Sequence, residues 1–345
     1  MERSKRGMSL WTMLRGVVGA SPIPRLQLRF PGTSHAGPLP PVTPDEAALA
    51  GALRRDVEAL ATDYRARNWF HPDVYARARA FLAGRLRACG LTPREQTYVV
   101  EGVECANIIA EIPGSSRPSE IIVVGAHYDS IELRSGPCPA ANDNASGVAC
   151  TLALAAYFGA PGPPARAPGR TLRFVLYANE EPPWFWTEAM GSLVHARSCR
   201  AAGENIVAML TPETLGHYTD EPGSQRYPPL LSRYYPKVGN FVSFVGLHES
   251  RALVARCVET FRRTTPFPCE GAAVPAIIPR AGASDHWSYW KCGYPGLMVT
   301  DTAPLRYRHY HTQQDTPDKI DFERFARVTG GLVRAVEELA GGSVG

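Results

Sequence analysis

The segment EIIVVGAHYDS, residues 120–130, carries the pattern that decides the fold. Its apolar run, IIVVGA, is nearly continuous, and such runs are typical of strands buried on both faces of a sheet. His127, Tyr128 and Asp129 follow this run at once. Because open α/β sheets bind ligands beyond the carboxyl ends of their strands, the segment predicts a buried strand with a functional site at its end.

Four other segments bring polar residues to the same kind of position. TLRFVLYAN, NIVAMLT and GLMVTDTAP are apolar runs that lead into polar loops, and NDNASG opens a predicted helix. The residues that the five segments present are His127 and Asp129, Asp143, Glu180 and Glu181, Glu213, and His311. Their recurrence at predicted strand ends and adjoining loops indicates one shared site at one edge of the sheet.

The alternation of strand and helix patterns predicts an α/β fold. We expect a largely parallel, mixed central sheet with helices on both faces. The predicted strands are QTYVVEG, CANIIAEI, EIIVVGAH, TLRFVLYAN, NIVAMLT, FVSFVGL, AIIP and GLMVTD. Predicted helices lie at about 146–158, 188–202, 249–264, 284–292 and 321–340, after two helices nearer the amino terminus.

The amino-terminal part divides into a leader and a helical lead-in. Residues 1–44 are rich in proline and glycine and predict an extended leader. Residues 45–345 form one predicted domain, with a helical lead-in at about 45–90 and a catalytic α/β core at about 95–340. The first helix is amphipathic and has Thr43 or Asp45 near its cap. Residues 1–20 are loosely signal-like, but Arg15 interrupts them, so we expect a soluble protein, cytoplasmic rather than secreted.

Composition narrows the classes of function. The chain has 345 residues and a formal charge of only +4, with no long basic block, so we expect no nucleic-acid partner. No apolar run approaches the ~20 residues that a membrane span needs. Eight cysteines without a CxxC pair argue against zinc ribbons and thioredoxin-type motifs and leave disulfides open. The oligomeric state is not evident from the sequence.

The polar set suits zinc chemistry. Two histidines with three carboxylates form a ligand set that zinc accepts, whereas magnesium and calcium prefer oxygen alone. Adjacent Glu180 and Glu181 point in different directions at a strand end, so one can bind a metal while the other takes a proton. Asp129, two residues after His127, can orient that imidazole through a hydrogen bond.

Six motifs together resemble the M28 family of zinc metallopeptidases, the group of bacterial leucyl-type aminopeptidases. They are GAHYDS (125–130), AANDNASG (140–147), ANEEPPWFWTEAMGS (178–192), LTPETLGHY (210–218), ASDHWSYW (283–290) and HYHTQQDTPDKID (309–321). The resemblance covers about residues 95–340, and the order and spacing of the motifs fit throughout.

The resemblance implies a two-zinc site with assigned roles. One metal would be bound by His127, Asp143 and Glu213, and the other by Asp143, Glu181 and His311, so that Asp143 bridges them. Glu180 falls on the general base and Asp129 on the partner of the first histidine. We expect the protein to remove amino-terminal residues from peptides, with a hydroxide held between the two metals and Glu180 as the general base.

The pocket around the metals departs from the family in part. Many members have aspartate where Glu213 stands, and some place a tyrosine shortly before the Ser-Asp-His segment to stabilise the oxyanion. Here that stretch contains Arg280, which we expect to supply positive charge instead. Candidate substrate-binding residues are Arg280, Asp285, Trp186 and Trp287.

Other functions fit parts of the same pattern. A glutaminyl cyclase of similar architecture would use a single zinc, and a carboxypeptidase or an amidohydrolase acting on a small amide would use related chemistry. The NDNASG segment has the aminopeptidase form and argues against the cyclase. A non-catalytic binding relative would be expected to lack ligands or the base, and here every such position is filled.

Overall fold

An eight-stranded mixed sheet forms the centre of the fold. The computed structural model describes residues 26–160, 167–227, 231–278 and 281–341. The strand order across the sheet is β1-β2-β6-β3-β7-β10-β8-β9, and β4 and β5 form a separate small ladder. The strands are β1 (Arg94–Val100), β2 (Val103–Ile112), β3 (Arg117–His127), β4 (Glu132–Leu133), β5 (Gly136–Pro137), β6 (Arg170–Tyr177), β7 (Asn205–Glu213), β8 (Val242–Leu247), β9 (Cys269–Val274) and β10 (Gly296–Thr300).

Helices cover both faces of this sheet. The helices are α1 (Pro44–Thr62), α2 (Pro72–Ala88), α3 (Gly147–Gly159), α4 (Gly191–Ala201), α5 (Arg251–Thr264), α6 (His286–Lys291), α7 (Ala303–Arg306) and α8 (Phe322–Ala340). Helices α1, α3, α5 and α8 pack together on one face, and α4 and α6 pack on the other. The α/β fold class is confirmed, with helices on both faces as expected.

The two sides of β3 explain why its sequence is apolar throughout. Ile122 and Val124 belong to the core beneath the helices of one face, whereas Ile121 and Val123 belong to the core on the other. Successive side chains of a strand point to opposite faces, so a strand covered on both sides needs an unbroken apolar run. Strands β6, β3, β7 and β10 run parallel to one another and place their carboxyl ends at one edge.

One predicted strand is wrong. AIIP was expected to be a strand, but β9 precedes it at Cys269–Val274, and residues 276–278 form a turn in which Ile277 is 86% exposed. The physical reason is the pair of prolines that flank the turn, since proline cannot donate to a strand ladder. Short apolar runs do not by themselves identify strands.

Residues 26–44, the described part of the leader, contact the edge of the sheet through Gln27. Gln27 exchanges two backbone hydrogen bonds with Ala273 of β9, of 3.0 and 2.9 Å, and so covers that edge. Thr43 caps α1, where its hydroxyl accepts from the Glu46 amide and the Glu46 carboxylate accepts from the Thr43 amide. The signal-like residues 1–20 lie outside the described residues.

The cysteines and the helices each have one further property that bears on the protein's environment. All eight cysteines are free. In the described ranges, no helix is both long enough and apolar enough to cross a membrane.

Candidate active site

The predicted residues meet at the carboxyl edge of the parallel strands. His127 is the last residue of β3 and Glu213 is the last residue of β7. Glu180 and Glu181 follow the end of β6, and Asp143 lies in the irregular turn Ala141–Ser146 that leads into α3. Together with His311, in the loop after α7, these side chains form one buried or half-buried cluster.

One group of three potential ligands surrounds His127. Its Nε2 atom lies 3.3 Å from Asp143 Oδ1 and 3.4 Å from Glu213 Oε2. All three side chains are buried. These atoms converge closely enough to share one cation.

A second group of three lies beside the first. His311 Nε2 is 2.9 Å from Asp143 Oδ2 and 3.6 Å from Glu181 Oε2. Asp143 thus presents one carboxylate oxygen to each group. Such an arrangement of a shared carboxylate is suited to holding two cations close together.

Several buried atoms of these groups have no hydrogen-bond partner among the described residues. They are His127 Nδ1 and Nε2, Asp143 Oδ2, Glu181 Oε1 and His311 Nε2. A buried polar atom without a partner costs about 1–3 kcal/mol, so several in one cluster call for a ligand. Because imidazole nitrogens and carboxylate oxygens together are zinc ligands, the residues fit two zinc ions.

Asp129 organises the strand ends around it. Its two carboxylate oxygens accept hydrogen bonds from the backbone amides of Glu180, at 3.0 Å, and Glu181, at 2.9 Å. Asp129 Oδ1 also lies 3.4 Å from His127 Nδ1. The carboxylate therefore fixes the turn that carries both glutamates, and its hydrogen bond to the His127 imidazole stays a prediction.

Glu180 stands apart from both ligand groups. Its Oε2 atom is 3.7 Å from His127 Nε2, and its side chain is buried. Burial raises the pKa of Glu180 well above its usual range, and the charges of Glu181 and Glu213 raise it further while His127 opposes them. A raised pKa favours a carboxyl group that both accepts and releases a proton.

Three supporting residues were missed by the sequence analysis. Glu213 Oε2 accepts hydrogen bonds from Asn144 Nδ2, at 3.0 Å, and from Ser284 Oγ, at 2.7 Å. Asp315 accepts from the backbone amides of Asn142, at 2.9 Å, and Asp143, at 3.1 Å. All three lie within the six motifs, but the sequence gives no sign of which ligand each one orients.

A cleft of about 440 Å³ opens from the ligand groups. Glu180, Glu181, Glu213 and His311 form one end, and no other charged side chain is among the described residues that line it. The walls are mainly apolar and include Phe241, Val245, Val274, Ile278, Met298 and Leu305. This composition suits an apolar side chain next to a polar reacting group.

The predicted substrate-binding residues fall in different places. Trp186 lines the cleft, is 51% exposed, and donates from Nε1 to the Gly282 carbonyl at 2.9 Å. Trp287 packs against the Trp186 ring and does not line the cleft, and Asp285 is fully buried and does not line it either. Arg280 lies outside the described residues.

Tyr310 is a further residue of the cleft that the sequence analysis missed. Its ring lies parallel to the His311 imidazole, with centroids 3.9 Å apart and 15° between the planes. Burial raises the pKa of the Tyr310 hydroxyl, and the charges of Asp143 and Glu181 raise it further. The hydroxyl therefore stays protonated and can donate a hydrogen bond. Its position directly before His311 was the available signal.

Solved structures show the same architecture. The crystal structure of LapB from Legionella pneumophila superposes with a TM-score of 0.66 at 17% identity, covering 90% of this chain and 78% of that chain. A glutaminyl cyclase of Bacteroides thetaiotaomicron superposes with a TM-score of 0.62, also at 17% identity, covering 87% and 99%. At these identities the likeness concerns the fold alone.

Sequence relatives and a family model identify the group. The chain is 32% identical over 298 residues to the uncharacterized protein YfbL of Escherichia coli (strain K12), covering 85% of this chain and 89% of that protein. It is 30% identical over 246 residues to leucine aminopeptidase 1 of Arthroderma otae, covering 68% of this chain and 58% of that protein. The model of peptidase family M28 matches residues 107–336. The chain therefore belongs to peptidase family M28.

Proposed function

We propose that this protein is an aminopeptidase that uses two zinc ions. The observation that carries the proposal is the pair of ligand groups that share Asp143, with Glu180 beside them and outside both. Membership of a peptidase family supports hydrolysis of a peptide bond, and relatives named leucine aminopeptidase support action at the amino end.

The residues of each group have a defined task in this proposal. His127, Asp143 and Glu213 would hold one ion, and Asp143, Glu181 and His311 would hold the other. Zinc ions bound there supply Lewis acidity, which polarises a carbonyl and lowers the pKa of water. Asp129 would hold the His127 imidazole and the Glu180-Glu181 turn in fixed positions relative to each other.

Glu180 is the general base and then the general acid. Its carboxylate accepts a proton from the attacking water, and the resulting carboxylic acid donates that proton to the leaving amine. Burial in a cluster of carboxylates raises its pKa, which favours a group that accepts and releases a proton within one cycle.

We assign to Tyr310 the stabilisation of the negative charge that develops on the scissile carbonyl oxygen. This assignment is supported by the position of Tyr310 in the cleft lining, with its ring stacked on His311, and by the raised pKa that keeps its hydroxyl protonated. A donor aimed at a developing oxyanion contributes about 2.7–4 kcal/mol of transition-state stabilisation. Tyr310 thus takes the part that the sequence analysis gave to Arg280, and Arg280 remains a second candidate.

The cleft indicates the preferred substrate. Its apolar walls, with Phe241 and Met298 among them, fit a large aliphatic or aromatic side chain at the amino end of the peptide. No acidic residue outside the metal cluster is present in the described lining, so lysine and arginine side chains would find no partner.

Screening aminoacyl-aminomethylcoumarin substrates tests the proposal. We expect leucyl, methionyl and phenylalanyl substrates to be cleaved, and their N-acetylated forms to be resistant because the free amine is blocked. A strong chelator should abolish cleavage, and added zinc should restore it. Cleavage of acetylated substrates at equal rates, or full activity after complete metal removal, would contradict the proposal.

A glutaminyl cyclase is the second candidate, supported by the fold likeness to solved cyclases. A cyclase of the single-zinc type needs one ligand group, whereas this chain has two complete groups. Incubation with a glutaminyl peptide distinguishes the two, because cyclisation releases ammonia and leaves the peptide bond intact. A non-catalytic binding relative would give neither reaction and no bound metal.

A further inference from the structure

Arg67 is a fully buried arginine in the turn between α1 and α2. Its Nε donates to the Tyr128 carbonyl at 2.8 Å, and Nη2 donates to the Ala140 carbonyl at 2.8 Å. Nη1 donates to the carbonyls of Leu60, at 2.8 Å, and Pro139, at 3.1 Å. One planar guanidinium therefore joins three separate backbone segments.

Two of these segments each carry one of the five proposed metal ligands, His127 and Asp143. Tyr128 lies between His127 and Asp129, and Ala140 lies three residues before Asp143. The Arg67 side chain thus spans the end of β3 and the turn that precedes α3. A change in its hydrogen bonds would alter the spacing of His127 and Asp143, which belong to the same ligand group.

Neighbouring backbone contacts hold Arg67 in place. The Ser130 amide donates to the Arg67 carbonyl at 3.1 Å, and the Ser130 hydroxyl donates to the Arg65 carbonyl at 2.9 Å. Arg65 Nε in turn donates to the Pro137 carbonyl at 3.0 Å. The turn is therefore fastened on both sides, to the strand end and to the segment before Asp143.

The charge of Arg67 also faces the carboxylate cluster. Burial lowers the pKa of Arg67 to about 10, and the charges of Asp129, Asp315 and Asp143 oppose that shift. The side chain remains a cation at neutral pH. Within the described residues, the hydrogen bonds of the Arg67 side chain go to backbone carbonyls. Its positive charge therefore attracts the carboxylates of the cluster without forming an ion pair with any one of them.

The helical lead-in, which contains Arg67, also contacts the residue that precedes the proposed base. The Tyr75 hydroxyl, in α2, accepts from the Asn179 amide at 3.0 Å and donates to Asn179 Oδ1 at 3.2 Å. Asn179 directly precedes Glu180 and has a positive φ of 57°. The helical lead-in thus forms hydrogen bonds with Asn179, the neighbour of Glu180, and with Tyr128, the neighbour of His127.

We propose that Arg67 is a positioning residue of the metal centre, which ties the backbone of His127 to the backbone of Asp143 and so sets their separation. The assignment of the centre as a metal site rests on the proposed function. Arginine suits this role because its rigid fork can bridge several carbonyls at once, which a lysine ammonium on a flexible stem cannot do.

Arg67→Lys and Arg67→Met test the role, with Arg85→Lys as the matched control. Arg85 belongs to the same helical lead-in and donates to Asp56 from Nε at 2.7 Å and from Nη2 at 2.9 Å. Among the described residues its side chain donates no hydrogen bond to a segment that carries a proposed ligand. Zinc affinity is measured by competition with a chromogenic chelator, and ligand geometry by the absorption spectrum of the cobalt-substituted protein.

We expect Arg67→Lys to lower zinc affinity roughly 10–100-fold, as for residues that orient metal ligands, and to shift the cobalt spectrum. Arg85→Lys should keep both properties even where its thermal stability falls. Wild-type zinc affinity and an unchanged cobalt spectrum in Arg67→Lys would overturn the positioning role and leave Arg67 as a structural residue only. If Arg67→Met fails to fold, the test rests on the Arg67→Lys variant alone.

Hydrogen exchange of the metal-free proteins separates this proposal from the proposed function. Arg67→Lys should exchange amides faster in residues 128–131 and 138–144, and Arg85→Lys should not. Unchanged exchange in those residues would overturn the Arg67 proposal even if the wild type is an active peptidase. A wild type that binds zinc but cleaves no aminoacyl substrate would instead overturn the aminopeptidase assignment and leave the Arg67 measurements valid.

Discussion

Replacing Glu180 with glutamine removes the proposed base with little change in shape. The turn should survive, because Asp129 holds it through the backbone amides of Glu180 and Glu181, which the substitution keeps. Glu180 belongs to neither ligand group, so metal binding should also survive. Loss of a general base costs ~10²–10⁴ in rate. At 1.36 kcal/mol for each factor of ten, the barrier should rise by about 2.7–5.4 kcal/mol.

The assay compares kcat, KM and zinc content for the wild type, Glu180→Gln and Glu188→Gln. Glu188 lies in the same loop, is exposed, and pairs with Arg197, so its substitution controls for the loss of one negative charge nearby. We expect kcat to fall in Glu180→Gln alone, with KM and zinc content close to those of the wild type. A Glu180→Gln enzyme with near-normal kcat, or one that has lost its zinc, would refute the reasoning.

Three other predictions concern stability and metal binding. Gly147→Ala should destabilise the protein by about 1–3 kcal/mol, because a Cβ there would clash with the Asn144 side chain and with the Pro212 carbonyl. Gly84→Ala, with open space around it in α2, should instead gain about 0.5–1 kcal/mol, and equal effects of the two substitutions in urea unfolding would contradict this. Ser284→Ala should weaken zinc binding about 10-fold, because Glu213 loses a 2.7 Å hydrogen bond, and an unchanged dissociation constant would count against it. Chelation should lower the free energy of unfolding by about 2.7 kcal/mol for each zinc site, relative to protein at a zinc concentration 100 times the dissociation constant, and identical melting curves would oppose this.

The fold and the cluster could be predicted because both depend on local pattern. The apolar run before His127 marks a strand covered on two faces, and parallel strands of such a sheet place their ends at one edge. This pattern alone predicts that His127, Glu181 and Glu213 lie close together at that edge. Their service as metal ligands stays a prediction.

Features that depend on long-range packing could not be predicted in the same way. Arg67 is one of many arginines in the sequence, and only the fold reveals that its guanidinium reaches Tyr128 and Ala140. Asp315 likewise holds the Asp143 amide across 172 residues of chain. The turn at Ile277 shows that a local pattern can also mislead. The short apolar run predicts a strand, but prolines flank it and the chain forms a turn there.

The metal stoichiometry of the purified protein tests the central claim most directly. Elemental analysis after zinc saturation and removal of free metal should give two zinc ions per chain in the wild type, and fewer than two in Asp143→Asn, because Asp143 contributes an oxygen to each group. The wild type in this state should cleave leucyl-aminomethylcoumarin. One zinc per chain in the saturated wild type, with cyclisation of a glutaminyl peptide in place of cleavage, would contradict the account.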